Sequence, residues 1–408
     1  MLAIMSTSRV YVNELRQLEA SAWTAFLNER SPLEDVTVQE VHHEALNNNG
    51  LVRYLLTFSG HSDPVPFVGK KTNAAEARFY QELGQKVRRL LPHCWLSHVG
   101  HDWSWIVLDD VPNHWPAPRW TSDDVEKAIA LLASFHGAFW QQEALLSGCS
   151  WLSPYLGQHA GRTPSPGTLE AWRYWDSTVG GAPAISSHAI SSAGRLAPAF
   201  IRAAAGLQVL RQLGGWPGVI TRRHLEAIAD LLDDPLPILQ PLRELPATLL
   251  HGNPALHHWH VTLFNDRSLL DWANVTIGPP VCDLVAFLEQ VEWLRTGQNG
   301  QAEMGGWPVS EETMIDSYLL RMHVGLSHFD ARTMRQAIPA ARCLYVLTTW
   351  LPRFADWFHP FVGSPVTWRS LIEMGDAELE HVGYGRLAGL RDYLAALFPR
   401  FWHAARSL

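Results

Sequence analysis

The first hundred residues carry short apolar runs with strand periodicity. Val36 to Val41, Leu51 to Ser59, Val65 to Lys71, Cys94 to Val99 and Trp103 to Leu108 read as strands. The link Leu46-Asn47-Asn48-Asn49-Gly50 carries residues that tolerate positive φ, so the first two runs are expected to form a hairpin. A helix over Val12 to Asn28 precedes them. Thr72-Asn73-Ala74-Ala75-Glu76-Ala77-Arg78-Phe79-Tyr80 reads as a capped helix start continuing toward Leu83. The sum is a small antiparallel sheet with one inserted helix.

Beyond Val111 the period changes. Pro112 to Trp120 is a Pro- and Trp-rich connection, and Thr121-Ser122-Asp123-Asp124 caps a helix. Ala128, Leu131, Leu132, Phe135 and Phe139 recur along it at helical spacing, which buries one face. Gly157 to Ala193 is rich in Gly, Pro and Ser and reads as a loose excursion with a short helix around Trp172. Helices resume near Arg195 and Leu225. From Ser310 onward the chain reads as mostly helical, with breaks near Pro360 and Pro365.

Length and charge narrow the function classes. A chain of 408 residues predicts two or three domains or lobes, and 47% apolar with 18% charged residues marks an ordinary folded protein. A net charge of -8 without a basic run argues against nucleic-acid binding. No apolar stretch approaches the roughly 18 residues of a membrane span, and with its early polar residues the N-terminal stretch is not expected to act as a secretory leader. Four scattered cysteines without a C-x-x-C pair fit free thiols in a reducing compartment, so a cytoplasmic protein is expected. The 19 tryptophans are read first as bulky core filler and second as lining for an organic ligand.

The densest chemistry lies between Leu249 and Asp271. His251-Gly252-Asn253 opens a loop after an apolar run. Trp259 to Phe264 and Ser268 to Leu270 then form a hairpin through Asn265-Asp266-Arg267, ending on Asp271-Trp272. Such a rim suits phosphoryl transfer, which needs a carboxylate at the acceptor hydroxyl, an oxygen ligand on the loop and an Asp on the metal. Asp271 is the natural magnesium ligand, because magnesium prefers carboxylate and phosphate oxygens.

The segment resembles the aminoglycoside phosphotransferase and choline kinase-like family, a branch of the protein-kinase fold. Its signature is His-Gly-Asp-x-x-x-x-Asn, a hairpin, then hydrophobic-Asp-Trp/Phe-Glu and Gly-Pro-x-x-Asp-Leu. Here the corresponding residues are His251-Gly252-Asn253, His258, Leu270-Asp271-Trp272, and Gly278, Pro279, Asp283 and Leu284. Phe67-Val68-Gly69-Lys70 resembles the strand whose Lys holds the α- and β-phosphates, with Glu76 as its helix partner. Val107-Leu108-Asp109-Asp110-Val111 resembles the hinge where backbone groups meet adenine, and Leu132 to Trp140 the first large-lobe helix. These fragments keep their order over roughly residues 40 to 290.

Two departures bear on activity. Asn253 replaces the Asp that orients the acceptor hydroxyl and accepts its proton, and His258 replaces the Asn that gives magnesium an oxygen ligand. Asn is no base at neutral pH, a loss worth about 10²- to 10⁴-fold. Imidazole suits zinc or copper better than magnesium.

Several residues keep a structural reading beside the functional one. Lys71 competes with Lys70 as the phosphate lysine. Glu76 doubles as the capping-box partner of Asn73, and Asp283 as a helix cap or as a brace for the loop. His251, His257, His258 and His260 invite a zinc reading but lack helical ligand spacing, so His251 is taken as fixing the loop. Glu373, Asp376, Glu378 and Glu380 read as a solvated helix face rather than a site for a cationic acceptor.

The expectation is an α+β, two-lobed protein-kinase-like fold. Residues 1–110 form a small antiparallel-sheet lobe covering the nucleotide, and 111–408 a mainly helical lobe holding the catalytic-loop hairpin, 249–284. The resemblance implies ATP and magnesium as cofactors and a small-molecule acceptor with a hydroxyl group. Lys70, Glu76, Asp109 and Val111 meet the nucleotide, Asp271 and His258 the metal, and Asn253 and His251 the reacting groups. The alternative is a pseudokinase, a ligand- or partner-binding scaffold without turnover. Oligomeric state is left open.

Overall fold

The computed structural model describes residues 19–30, 36–46, 50–101, 104–111, 120–156, 185–261, 267–297 and 309–408. The start of the Val12 helix, the Asn47–Asn49 link, most of the Pro112–Trp120 connection, the helix around Trp172 and the tip of the 259–270 hairpin lie outside them. The chain forms two compact units. One comprises Met1–Pro116 with His257–Val275, the other Ala117–Leu256 with Thr276–Leu408.

The first unit is built on five antiparallel strands: β1 (Val38–Ala45), β2 (Leu51–Phe58), β3 (Val65–Thr72), β4 (Cys94–His98) and β5 (Ser104–Asp109). Their order is β1-β2-β3-β5-β4. Ala45 faces Val52, and Leu46 N donates to Leu51 O at 3.0 Å, so the first two strands make the expected hairpin. β1 begins later and runs longer than its apolar residues suggest. It is an edge strand, mostly exposed, held by backbone pairing to β2 rather than by buried side chains.

Strand alternation gives the sheet two distinct faces. On one, Trp23 and Leu27 of the helix Ala20–Arg30 pack with Tyr54, Phe67, Trp105 and Val107. Gly69 shares that face because the Tyr54 ring covers it; a Cβ there would lie 2.8 Å from Tyr54 Cε2. Val68 and Lys70 point to the opposite face, the side taken by the short helix Ala74–Arg78. That helix opens on Asn73, whose side chain accepts from Glu76 N. It then widens into a π turn over Phe79–Leu83 and tightens over Gly84–Leu90.

The hairpin of β7 (Trp259–Val261) and β8 (Arg267–Leu269) belongs to this same unit, with Trp259 opposite Leu269. Stacking of Trp272 on Phe79, 4.2 Å between ring centres, ties it there.

The second unit is mainly helical. Its capped helix Ser122–Ala138 starts with the expected capping box between Thr121 and Asp124. Helices Ala197–Leu213 and Leu351–Val362 cross so closely that a Cβ on Gly206 would sit 2.0 Å from Leu351 O. Pro360 lies inside the latter helix, which stops at Val362. Pro365 opens the next helix, Pro365–Glu373, so the break falls on Gly363 and Ser364. Many tryptophans are core, with Trp216, Trp350 and Trp368 fully buried. Strands β6 (Thr248–Leu250) and β9 (Thr276–Gly278) pair antiparallel in this unit, ahead of the long helix Val281–Gly297. Among the described residues, no helix is long and apolar enough to cross a membrane.

Candidate functional site

In the sheet unit, Lys70 reaches the Glu76 carboxylate with Nζ at 2.7 and 3.0 Å from its two oxygens, and Asp271 Oδ1 at 2.5 Å. Alternation decides which lysine arrives. Lys70 projects to the face of helix Ala74–Arg78, while its neighbour Lys71 is exposed beside Gly50. Glu76 is 1% exposed, so its charge has left water and must be compensated. Besides Lys70, its carboxylate accepts from Thr72 Oγ1 and from Trp272 N at 3.0 Å. The Asn73 cap and the Lys70 ion pair therefore coexist, because the cap uses the Glu76 backbone and the ion pair its side chain. Burial works to lower the Lys70 pKa, but the negative charges and hydrogen bonds of Glu76 and Asp271 outweigh it and hold the ammonium above its ordinary value.

Asp271 sits at the end of the β7–β8 hairpin in a left-handed conformation, φ 65° and ψ 61°. A non-glycine residue adopts that region at a cost and needs surrounding contacts to hold it there. Here the contacts are Lys70 on Oδ1 and His258 Nε2, 3.1 Å from Oδ2. His258 is placed by the hairpin itself, since Leu270 N donates to its carbonyl oxygen at 2.9 Å. The His257 ring packs edge-on against it with centres 4.0 Å apart. Burial, with the adjacent His258, lowers the His257 pKa.

This arrangement does not suit magnesium. Magnesium takes an all-oxygen shell, usually one or two carboxylates with phosphates and waters, and in the sheet unit the Asp271 carboxylate has an ammonium facing one oxygen and an imidazole facing the other. The imidazole nitrogen of His258 is a poor magnesium donor. Ala273 stands where the signature carries Glu, so the turn adds no second carboxylate. Among the described residues no three His, Cys, Asp or Glu side chains gather as a metal site.

The hinge residues are placed at the end of β5. The Asp109 carboxylate accepts from Trp95 Nε1 at 2.6 Å and His93 N at 3.3 Å, which locks β4 to β5. Asp110 pairs with Arg53 at 2.7 Å. Val111 follows, half-buried, so backbone rather than carboxylate is what this turn has to offer a ligand.

The helical unit holds the His251 loop. Asp283, in the first turn of helix Val281–Gly297, accepts from His251 N at 2.6 Å and Gly252 N at 3.1 Å. His136 Nε2 lies 3.3 Å from the same carboxylate, and His136 Nδ1 is 2.7 Å from the Tyr318 hydroxyl. All of these side chains are buried. Asp283 is thus a brace for the loop rather than a helix cap. His251 Nδ1 accepts from Asn253 N at 3.3 Å, and Gly252 takes φ 79°, a value glycine adopts freely. The result presents Asn253 at the surface. His136 and Tyr318 were not anticipated. A lone histidine inside the apolar run Leu132 to Trp140 was a signal for the first; nothing in the local sequence marks the second.

Residues 48–309, more than half of the chain, match the model of the phosphotransferase enzyme family, and the protein belongs to that family. This is the family to which the loop and hairpin motifs pointed. Its kinase-like α+β class agrees with a sheet unit and a helical unit. None of the curated proteins compared matches the chain. Among solved structures, an aminoglycoside phosphotransferase from Alicyclobacillus acidocaldarius is 14% identical, covers 90% of this chain and 93% of its own, and has a TM-score of 0.42. Choline kinase LicA from Streptococcus pneumoniae is 12% identical over 92% of this chain and 99% of its own, at 0.38. A choline kinase from Cryptosporidium parvum is 10% identical over 89% and 97%, at 0.42.

Proposed function

We propose that this protein binds ATP and phosphorylates a hydroxyl group on a small molecule, with weak turnover. The observation that carries this reading is the cluster Lys70–Glu76–Asp271, in which a buried carboxylate aims a lysine ammonium beside the hairpin aspartate. A buried ion pair is expensive and not in itself stabilising, so its presence in a chain of the phosphotransferase family suits a binding task. In this reading Lys70 donates to phosphate oxygens while Glu76 fixes its direction. Backbone groups of the Asp109–Val111 turn meet the base. Asn253 hydrogen-bonds the acceptor hydroxyl without taking its proton; the γ-phosphoryl group passes from the ADP oxygen to the hydroxyl oxygen, ADP leaves, and the proton passes to a phosphoryl oxygen and on to water. A loose phosphoryl-transfer transition state asks little of a base, so positioning alone sustains slow transfer.

Thermal unfolding with ATP or ADP at millimolar concentration tests the binding step. A ligand at about 100 times its dissociation constant adds about 2.7 kcal/mol, which is readily seen. Absence of any shift overturns the reading. A second reading, a scaffold that binds ligand without turnover, is favoured by Asn253 and by the engagement of Asp271 with His258. Acceptor-dependent ADP release that disappears in Lys70→Met would eliminate the scaffold; its absence across aminoglycoside, choline and sugar-amine acceptors would support it.

A further inference from the structure

We infer that nucleotide binding by this chain gains nothing from magnesium, because His258 and Lys70 together hold both oxygens of the Asp271 carboxylate. The inference rests on the proposed nucleotide site and concerns what occupies its metal position. Asp271 Oδ1 lies 2.5 Å from Lys70 Nζ and Oδ2 lies 3.1 Å from His258 Nε2. An imidazole N–H needs no charge to satisfy a carboxylate oxygen, so the contact does not depend on protonation of His258.

The contact is built into the backbone. Strands β7 and β8 pair Trp259 with Leu269, and the next step of the ladder joins Leu270 N to His258 O. His258 and Asp271 therefore flank the same end of one hairpin. The left-handed turn at Asp271 directs its carboxylate, and Trp272 is locked behind it by Glu76 and Phe79. His258 is 8% exposed, with the His257 ring against it, so it has little room to swing aside. A divalent cation would have to use the lone pairs that these contacts leave free and sit beside the Lys70 ammonium and the His258 ring. Neither the nitrogen donor nor the neighbouring positive charge favours that placement.

The test titrates ADP into the intact protein by calorimetry, once in excess magnesium and once in EDTA, and repeats both with His258→Asn. Equal affinity of the wild-type protein in the two buffers is the expected result. In His258→Asn, which offers an amide oxygen and releases Asp271 Oδ2, magnesium should tighten ADP by about 10-fold or more. A wild-type affinity that requires magnesium overturns this inference and leaves the nucleotide site standing. No binding in either buffer overturns the nucleotide reading and this inference with it. The wild-type pair of titrations decides the matter even where the variant fails to fold.

Discussion

Two polar clusters carry the proposed chemistry, one in each unit, and they depart from the family signature in different ways. Around Asp283 the helical unit keeps a scaffold: a buried carboxylate, two backbone N–H donors, a histidine and a tyrosine, all mutually satisfied. What departs from the signature there is the exposed side chain that the scaffold presents, Asn253. Around Asp271 the sheet unit holds the Lys70 ion pair, and His258, which stands where the signature carries Asn, contacts the same carboxylate. Bracing residues are costly to change because each satisfies buried donors. Presented residues are free to change, and function changes with them.

The largest effect follows from restoring the presented side chain. Asn253→Asp should raise acceptor-dependent ADP release by about 10²- to 10⁴-fold, the usual worth of a general base. An unchanged rate would place the limitation at Asp271 instead. Next come the braces. Lys70→Ala leaves the buried Glu76 carboxylate without its ammonium partner, with Thr72 and the Trp272 amide as donors among the described residues, and should cost about 3 to 5 kcal/mol in urea unfolding. Asp283→Ala orphans the His251 and Gly252 amides at about 1 to 3 kcal/mol each. A loss below 1 kcal/mol in either variant would show that the cluster is not a brace.

The smallest effects are those of pH, and they fall on opposite limbs. Folding raises the Lys70 pKa, so the folded state holds that proton more tightly. Its contribution is intact below about pH 10.5 and fades as pH rises beyond it. His224, in the helical unit, is pushed down to about 4 by burial and by Arg223. Its ring nitrogen accepts from Thr221 N at the start of helix Arg222–Asp233, which a protonated ring cannot do at that atom. Stability should therefore decline as pH falls from 6.5 toward 4, and His224→Gln should flatten that slope in unfolding curves.

Much of this was legible in the sequence, for physical reasons. Four of the five sheet strands appear within a residue or two of their apolar runs, because buried alternation writes the strand into the chain. β1 was displaced, because the exposed Gln39, Glu40, His42 and His43 carry no such signal. The choice between Lys70 and Lys71 was left open, yet Phe67 already held the information: residues an even number away share its face, and Lys70 does not. The loop and hairpin declared themselves by motif. The Asp283–His136–Tyr318 network did not, because Tyr318 lies 182 positions from His136 and only the fold brings them together. The His258–Asp271 contact escaped likewise. The sequence assigns His258 to the metal together with Asp271, and the hairpin register gives it the Asp271 carboxylate itself as a partner.

The central claim is that the Lys70 cluster is where nucleotide phosphates bind, and one measurement addresses it directly. ADP affinity would be measured by calorimetry for the wild-type protein, Lys70→Met and Lys71→Met, with circular dichroism confirming that both variants fold. The account predicts that Lys70→Met abolishes binding while Lys71→Met leaves it unchanged. Undiminished binding in folded Lys70→Met, or loss in folded Lys71→Met alone, would contradict it.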